Sequence, residues 1–467
     1  MGRGTVKVSK GKETKMKRPY LAATICLFLG LPAFGTTVNE PLQVITTTPS
    51  NRVQETTIVA HTNAEWQEII TSAFMLYVNG SSLPQLYTIT KTPSRTFRDP
   101  IQNSLDNMGD PVLAVNPYTS GQGPLRTYLA GIEWGGSSDG RLNVWYSDNG
   151  GHIDDGTPQG KVDWKGPVQV ATSGDKQYFD KPSIAVSWYS GTRGLVYVTA
   201  ITPNPRKVRV YLSEDGGLHF TEAGSVDICG RCWPTLRVDN TFGHVWLFWA
   251  DWETNRIHVA SAPWWADTFT EWTPLTVGTL LADNNNDIVA NSGGYSIKAD
   301  SHISVRYNPF AGRFGITWHE RSARGDTDVM FASFMPDIYG RLNMGGSWNS
   351  PIRVNNTTTG DQWHPALDFD STGNYLVTYY DNRDAFGLAR YRLYATKIDR
   401  YGGRIDTSDT LVTSGYYSDT SQLPIVSETV RTMGEYHDVW NWNGHWTASH
   451  IFAPSTSDEV CFSTVNP

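Results

Sequence analysis

The stretch Asp361–Asp384, DQWHPALDFDSTGNYLVTYYDNRD, decides the fold. Ala366, Asp368 and Asp370 alternate with Leu367 and Phe369, the period of a strand with two unlike faces. Asp370-Ser371-Thr372-Gly373 is turn chemistry. Tyr375–Tyr380 is a second run rich in β-formers. The unit closes on charge, at Asp381, Arg383 and Asp384.

The same unit recurs along the chain. GDPVLAVNPYTSG near Asp110 is followed by LAGIEW, and FDKPSIAVSWYSG near Asp180 by LVYVTA. CWPTLRVDNTFG near Cys232 leads to HVWLFWAD, and DSHISVRYNPFAG near Asp300 to RFGITWHER. The last copy is GEYHDVWNWNG, then HWTASHIF. With Pro111, Pro182, Pro234, Ile303, Pro365 and Asp438 taken as equivalent, the steps are 71, 52, 69, 62 and 73 residues. β-Rich self-similarity at this spacing is the mark of a propeller, each repeat being one four-stranded blade. The steps exceed the roughly 40–45 residues of a WD-repeat blade, so the loops are long. The competing reading, one or two β-sandwiches, needs six chance similarities in order. The expected fold is all-β: a six-bladed β-propeller with four-stranded antiparallel blades over residues 105–467, closed by an N-terminal strand.

The chain of 467 residues carries 46 acidic and 38 basic residues, a net charge of −8. No basic run lies inside the repeats, which argues against nucleic acid as a partner. Lys15, Lys17 and Arg18 precede the apolar run Tyr20–Leu31 and then Pro32-Ala33-Phe34-Gly35. That is the pattern of a secretory signal peptide over residues 1–35, with Met16 as a cleaner start than Met1. The run is too short to span a membrane. A secreted or periplasmic monomer without membrane insertion or cofactor is expected. Cys229-Gly-Arg-Cys232 then reads as a disulfide staple, which an export compartment permits, and Cys461 as a buried thiol.

Residues 36–104 are less regular. The segment around Thr62–Met75 reads as a helix capped by Thr62 or Asn63, or equally as a strand. The sixth repeat leaves room for three strands of about 5–6 residues. Its outer strand is expected from this N-terminal segment, at Gln85–Thr90 first and Gln54–Ala60 second, because closure removes exposed sheet edges.

Two turns carry a further signature. Ser213-Glu-Asp215-Gly-Gly217-Leu-His-Phe220 fits Ser-x-Asp-x-Gly-x-x-aromatic, and Ser147-Asp-Asn149-Gly-Gly151-His-Ile153 is a looser version. In such a turn Ser and Asp side chains fold back onto the turn amides and Gly takes a positive φ. With the strand pairs, and with Gly434-Glu435-Tyr436 opening the last repeat, the chain resembles the sialidase-like (BNR, Asp-box) six-bladed propeller family. That resemblance implies a glycan-handling site on the central face. Sialidases of the family use an arginine triad, a Tyr–Glu nucleophile, an Asp acid/base and a Phe/Tyr-Arg-Ile/Leu-Pro motif. Phe97-Arg98-Asp99-Pro100 echoes the last with Asp in the apolar place, and it precedes the first repeat.

A propeller's innermost strand starts at the mouth of the central channel, and the loop after the second strand opens on the same face. Ligands converge there. The candidate catalytic residues are Asp110, Asp180, Glu320, Arg321, His364, Asp381, Arg383, Glu435 and Tyr436. The candidate substrate-binding residues are Trp134, Arg231, Trp233, His302, Trp363 and His437. Carboxylates suit glycoside hydrolysis, a His or Tyr base suits elimination from a uronate, and Trp faces suit sugar stacking. The structural alternative for Glu320, Arg321, Asp381 and Arg383 is a set of ion pairs tying blade to blade. His302, His364 and His437 fall at one repeat position, where imidazole is also a common metal ligand. The expected partner is an acidic oligo- or polysaccharide. The expected function is glycosidase or polysaccharide lyase; the alternative is a non-catalytic glycan-binding propeller.

Overall fold

The structure, a computed structural model, describes residues 42–43 and, with breaks in the connecting loops, 52–465. The signal segment, Cys229, Trp134, Arg231, Glu435 and Tyr436 lie outside the described residues, as does the side chain of Cys232. Among the described residues no helix is long and apolar enough to cross a membrane.

Each of the six repeats is an antiparallel blade, and the blades stand in a ring, a β-propeller. Their inner strands are Met108–Asn116, Asp180–Val186, Cys232–Asp239, Ser304–Asn308, Gln362–Phe369 and Asp438–Trp442. The N-terminal segment contributes more than one strand. Arg52–Thr62, Glu68–Tyr77, Pro84–Lys91 and Thr96–Pro100 form a four-stranded sheet of their own, so the Thr62–Met75 region takes its strand reading. Gln85–Thr90 is the third strand of that sheet and Gln54–Ala60 its inner strand, and neither covers the last blade. The outer pairing partner of Glu459–Val465 in the last blade is Leu42–Gln43. Phe97-Arg98-Asp99-Pro100 lies on the outer strand of the N-terminal sheet, away from the channel.

The N-terminal sheet belongs to the ring. A hydrogen bond links every inner strand to the next. Leu113 N donates to Thr57 Oγ1 at 3.4 Å, Lys181 N to Asp110 Oδ2 at 3.4 Å and Leu236 N to Ser183 Oγ at 3.0 Å. Thr235 Oγ1 donates to Ile303 O at 3.3 Å, Leu367 N to Ser304 Oγ at 3.2 Å and Asn441 N to Asp368 Oδ2 at 2.6 Å. Thr57 Oγ1 donates to Asp438 Oδ2 at 3.3 Å and closes the circle. Among the described residues, then, the six blades of the repeats share the ring with the N-terminal sheet. Residues 39–467 form one compact unit.

The period-2 alternation of Thr57-Ile58-Val59-Ala60 explains why this sheet sits between two others. Val59, Met75 and Leu86 pack with Leu113, Leu129 and Trp145 of the first repeat. Ile58, Phe74 and Ile89 pack with Trp446, Ala448 and Ile451 of the sixth. Each such buried side chain is worth about 1.5–3 kcal/mol. Close approach is written into the sequence at Gly131, where a Cβ would lie 2.8 Å from Leu86.

The Ser213 turn folds back as its chemistry demands. Gly217 N donates to Ser213 Oγ at 2.8 Å, and the amides of Leu218 and His219 donate to Asp215 Oδ1 at 3.0 and 2.9 Å. In the looser turn Ser147 Oγ receives Gly151 N at 2.8 Å. Its carboxylate comes from outside: Asp163 Oδ2 accepts from Ser147 Oγ at 2.8 Å and from Asn149 Nδ2 at 3.0 Å.

Candidate functional site

One residue from the start of each inner strand meets its neighbours around the channel: Glu55, Asp110, Lys181, Trp233, His302, His364 and His437. Their aim is set by the backbone. Glu55, Asp110, Lys181 and His364 have φ of 52°, 51°, 50° and 45°, and the strand register slips at each of these places. A left-handed non-glycine residue costs about 1–3 kcal/mol and persists only where its surroundings fix it. The same strain at four equivalent places makes it a property of the ring. Pro111, Pro182 and Pro365 follow in the repeats, where the bulged strand has given up a ladder bond that proline could not supply, whereas Pro234 sits on a strand whose register does not slip.

The collar is acidic on one side and aromatic on the other. The Glu55 and Asp110 carboxyls are hydrogen-bonded to each other, and both are almost fully buried. Burial, with Asp110 beside it, drives Glu55 well above the carboxylate range. Burial raises Asp110 as well, against the pull of Lys181. Two adjoining buried carboxyls cannot both ionise cheaply, so the pair retains a proton. Burial opposes the charge on Lys181, but Asp180, Asp110 and Glu55 outweigh it and hold the ammonium more firmly than in free lysine. Lys181 Nζ stands 3.6 Å from Asp180 Oδ1 and 4.6 Å over the Trp233 ring. The Asp180 side chain, 47 % exposed, is the open carboxylate of the cluster.

The aromatic side runs from Trp233 to His302 at 5.4 Å between ring centroids, and from His302 to His364 at 5.4 Å. His319, from the end of a second strand, joins at 6.3 Å from His302 and 5.7 Å from His364. His437 packs on Tyr380 at 4.9 Å. Burial lowers His302 to about 4 and His319 to about 3, and puts His364 and His437 well below the usual imidazole range. All four are neutral at pH 7. His302 Nε2 lies 3.1 Å from Pro365 O, an acceptor only, so that nitrogen carries the proton. Among the described residues no group of three His, Cys, Asp or Glu has metal-holding geometry.

The ends of the second strands take structural roles. Glu320 Oε2 accepts from Trp318 Nε1 at 2.7 Å and from Gly278 N at 2.8 Å, and burial raises it. Arg321 Nη1 donates to Gly325 O at 2.9 Å within its own hairpin. Arg383 binds Asp381 through Nε at 2.7 Å and Asp409 through Nη1 at 2.6 Å, under the Tyr394 ring at 4.3 Å. Asp381 and Arg383 are therefore an internal ion-pair network and not a pair free for substrate. Trp363 is fully buried against Tyr380 and Tyr391, so it offers no face to a sugar. Trp233 is likewise buried, with Lys181 on its face.

Of the candidates, then, Asp110, Asp180, Trp233, His302, His364 and His437 share the collar region. Two partners escaped the reading of the repeats. Glu55 lies 55 positions before Asp110, within the range of the repeat steps, but Thr56 stands where most repeats carry Pro. His319 lies near the end of the second strand Arg313–Arg321, and only the fold brings it to His302.

Inside the ring, two cavities share the walls of Val112, Arg237, Arg306 and Asp438. One of about 80 Å³ lies under the collar. The larger, about 340 Å³, lies at the opposite end, where the inner strands finish.

No family model and no curated protein matches this chain. Solved structures with similar coordinates include a Dyadobacter fermentans protein of unknown function, 14 % identical, covering 77 % of this chain and 98 % of that one at a TM-score of 0.45. A Trypanosoma rangeli sialidase is 12 % identical over 89 % of this chain at a TM-score of 0.40; the match spans 55 % of that enzyme's length. A Fusarium graminearum α-L-arabinofuranosidase is 10 % identical over 91 % of this chain and 97 % of that one, at a TM-score of 0.39.

Proposed function

We propose that this chain is an exported carbohydrate-active enzyme that hydrolyses a glycan at the strand-start mouth of the ring. The observation that carries this reading is the open carboxylate Asp180, coupled through Lys181 to the buried Glu55–Asp110 pair. A glycosidase needs one carboxyl that keeps a proton and one carboxylate that does not. In this assignment the Glu55–Asp110 pair supplies the proton to the leaving oxygen. Asp180, exposed beside Lys181, takes the proton of the water that adds to the sugar carbon. Glu55 and Asp110 touch each other, so they act as one acid; Asp180 is the second member of the pair. The neutral, buried imidazoles shape the collar wall, which favours hydrolysis over elimination. The repeats and the Ser-x-Asp turns prompt the same substrate class, with an acidic glycan expected.

A second reading is a glycan-binding propeller without turnover. It is favoured by one observation: Asp381 and Arg383, at the second-strand ends, are already paired. The test is a panel of sialylated, uronate and sulfated glycans, followed by new reducing ends and by ultraviolet absorbance of an unsaturated uronate. Reducing ends without absorbance are expected, with Asp180→Asn and Asp110→Asn each losing at least about 100-fold while keeping the wild-type circular dichroism. Saturable binding with no turnover on any glycan would replace the enzyme by the binding protein.

A further inference from the structure

The larger cavity has no part in that chemistry. It lies at the far end of the inner strands, and its walls are apolar: Val112, Val115, Ile184, Phe369 and Trp440. Two guanidinium groups and two carboxyl groups, Asp368 and Asp438, also line it. Arg306 is neutralised, with Nη2 2.8 Å from Asp438 Oδ1 and Nε 3.6 Å from Asp368 Oδ1. Arg237 is not. Its Nε donates to Val305 O at 2.6 Å and its Nη1 to Leu236 O at 2.7 Å. Among the described residues no carboxylate lies within ion-pair reach of it, and Nη2 has no partner.

We propose that this cavity binds a small organic carboxylate with an aromatic or branched apolar body, its carboxylate on Arg237. Four considerations lead there. An interior cation without a counter-ion is costly, and an anionic ligand removes the cost. Burial, with Arg306 beside it, lowers Arg237 to about 9 against the more distant pull of Asp438 and Asp368, which are in contact with Arg306 instead, so the guanidinium is still charged at neutral pH. A guanidinium whose free nitrogen faces a cavity matches a planar carboxylate in shape and charge. Finally, about 340 Å³ is at the small end of the roughly 300–1,000 Å³ range of small-molecule pockets, too little for a peptide strand or several sugar units. The aromatic rims Tyr307, Phe369 and Trp440 fit a ring or branched chain better than a bare inorganic anion.

The test uses the full chain with 4-methylbenzoate and its uncharged partner 4-methylbenzyl alcohol, read by saturation-transfer NMR and calorimetry. The carboxylate should bind at least about tenfold more tightly than the alcohol. Arg237→Met should erase that preference, leave the weak alcohol binding unchanged and be partly rescued by Arg237→Lys. Val115→Trp, which fills the cavity, should abolish both. Should Arg237→Met fail to fold, the charged and uncharged probes on the native chain still decide the matter. Equal binding of the two probes, no binding of either at roughly 10 mM, or binding that survives Val115→Trp overturns the proposal. None of these outcomes depends on turnover of a glycan.

Discussion

Asp361 shows how a single side chain writes pH dependence into this fold. It is buried, accepts from Thr327 N at 3.0 Å, and burial lifts its carboxyl to about 7. In the unfolded chain the same group titrates near 3.9. Between those values the folded state holds the extra proton, so this group's contribution to stability falls as pH rises from about 4 to 7. Asp361→Asn keeps an oxygen acceptor without the charge. Urea unfolding should therefore find the variant more stable than the parent at pH 8, with the gap closing towards pH 4. The imidazoles act in the opposite sense. His302 and His450 near 4, and His319 near 3, stay neutral when folded but take protons near 6.5 when unfolded. Their stability contribution is lost as pH falls from about 6.5 to 4. Arg383 is the residue whose loss costs most in this reasoning. It serves Asp381 and Asp409, whose side chains are 0 % exposed. Arg383→Ala should cost about 3–5 kcal/mol by denaturant titration, because it leaves the buried Asp381 carboxyl without a cation, whereas Asp409 keeps Arg404.

At the scale of the element, two hairpin turns, one between third and fourth strands and one between first and second, separate two effects of glycine. Gly217 has φ +90° and a Cβ there would lie 2.9 Å from Tyr128, whereas Gly312 has φ +62° in open space. Gly312→Ala should cost about 1–2 kcal/mol, the left-handed penalty alone. Gly217→Ala should cost measurably more in the same assay, since it also displaces Tyr128. Elements are also where the sequence was most and least readable. Proline near the strand start and turn residues after the strand made four of the inner strands visible, and the hydrophobic alternation found the other two. Glu55-Thr56 lacks the proline, and its second strand ends in Leu76-Tyr77 without charge, so the N-terminal sheet did not announce itself. Asp110, Lys181, Trp233 and His364 could be read because they precede those prolines, and His302 and His437 because they hold the same repeat position. The isolation of Arg237 could not, since it depends on which sheets become neighbours once the ring closes; the Asp381–Arg383 pair forms within one blade and not, as the ion-pair alternative had it, between blades. Cys232 illustrates the same boundary from another side: its strand is placed, at Cys232–Asp239, but no spacing rule says what its sulfur meets.

For the whole molecule, the decisive test is removal of residues 1–104. Had those residues been a lead-in segment, the six repeats would fold without them. The N-terminal sheet instead fills the place between the first and last repeats, with Thr57 bonding to both sides. The shortened chain should show no cooperative thermal transition by circular dichroism, and it should bind a dye for exposed apolar surface. A sharp transition would mean that six repeats can close on one another.

The position of that sheet also sets a timetable. Arg52–Pro100 is made first, but one of its two faces waits for Asp438–Val465, which is made last. At about 5–20 residues per second, the ribosome leaves the first sheet half-covered for roughly 20–70 s. During that time Ile58, Phe74 and Ile89 present an unsatisfied apolar face to whatever is near. Synthesis of this ring is therefore an interval of exposure that ends only with its final strands. A chaperone that recognises extended apolar segments would find its target at the beginning of the chain, not at the end.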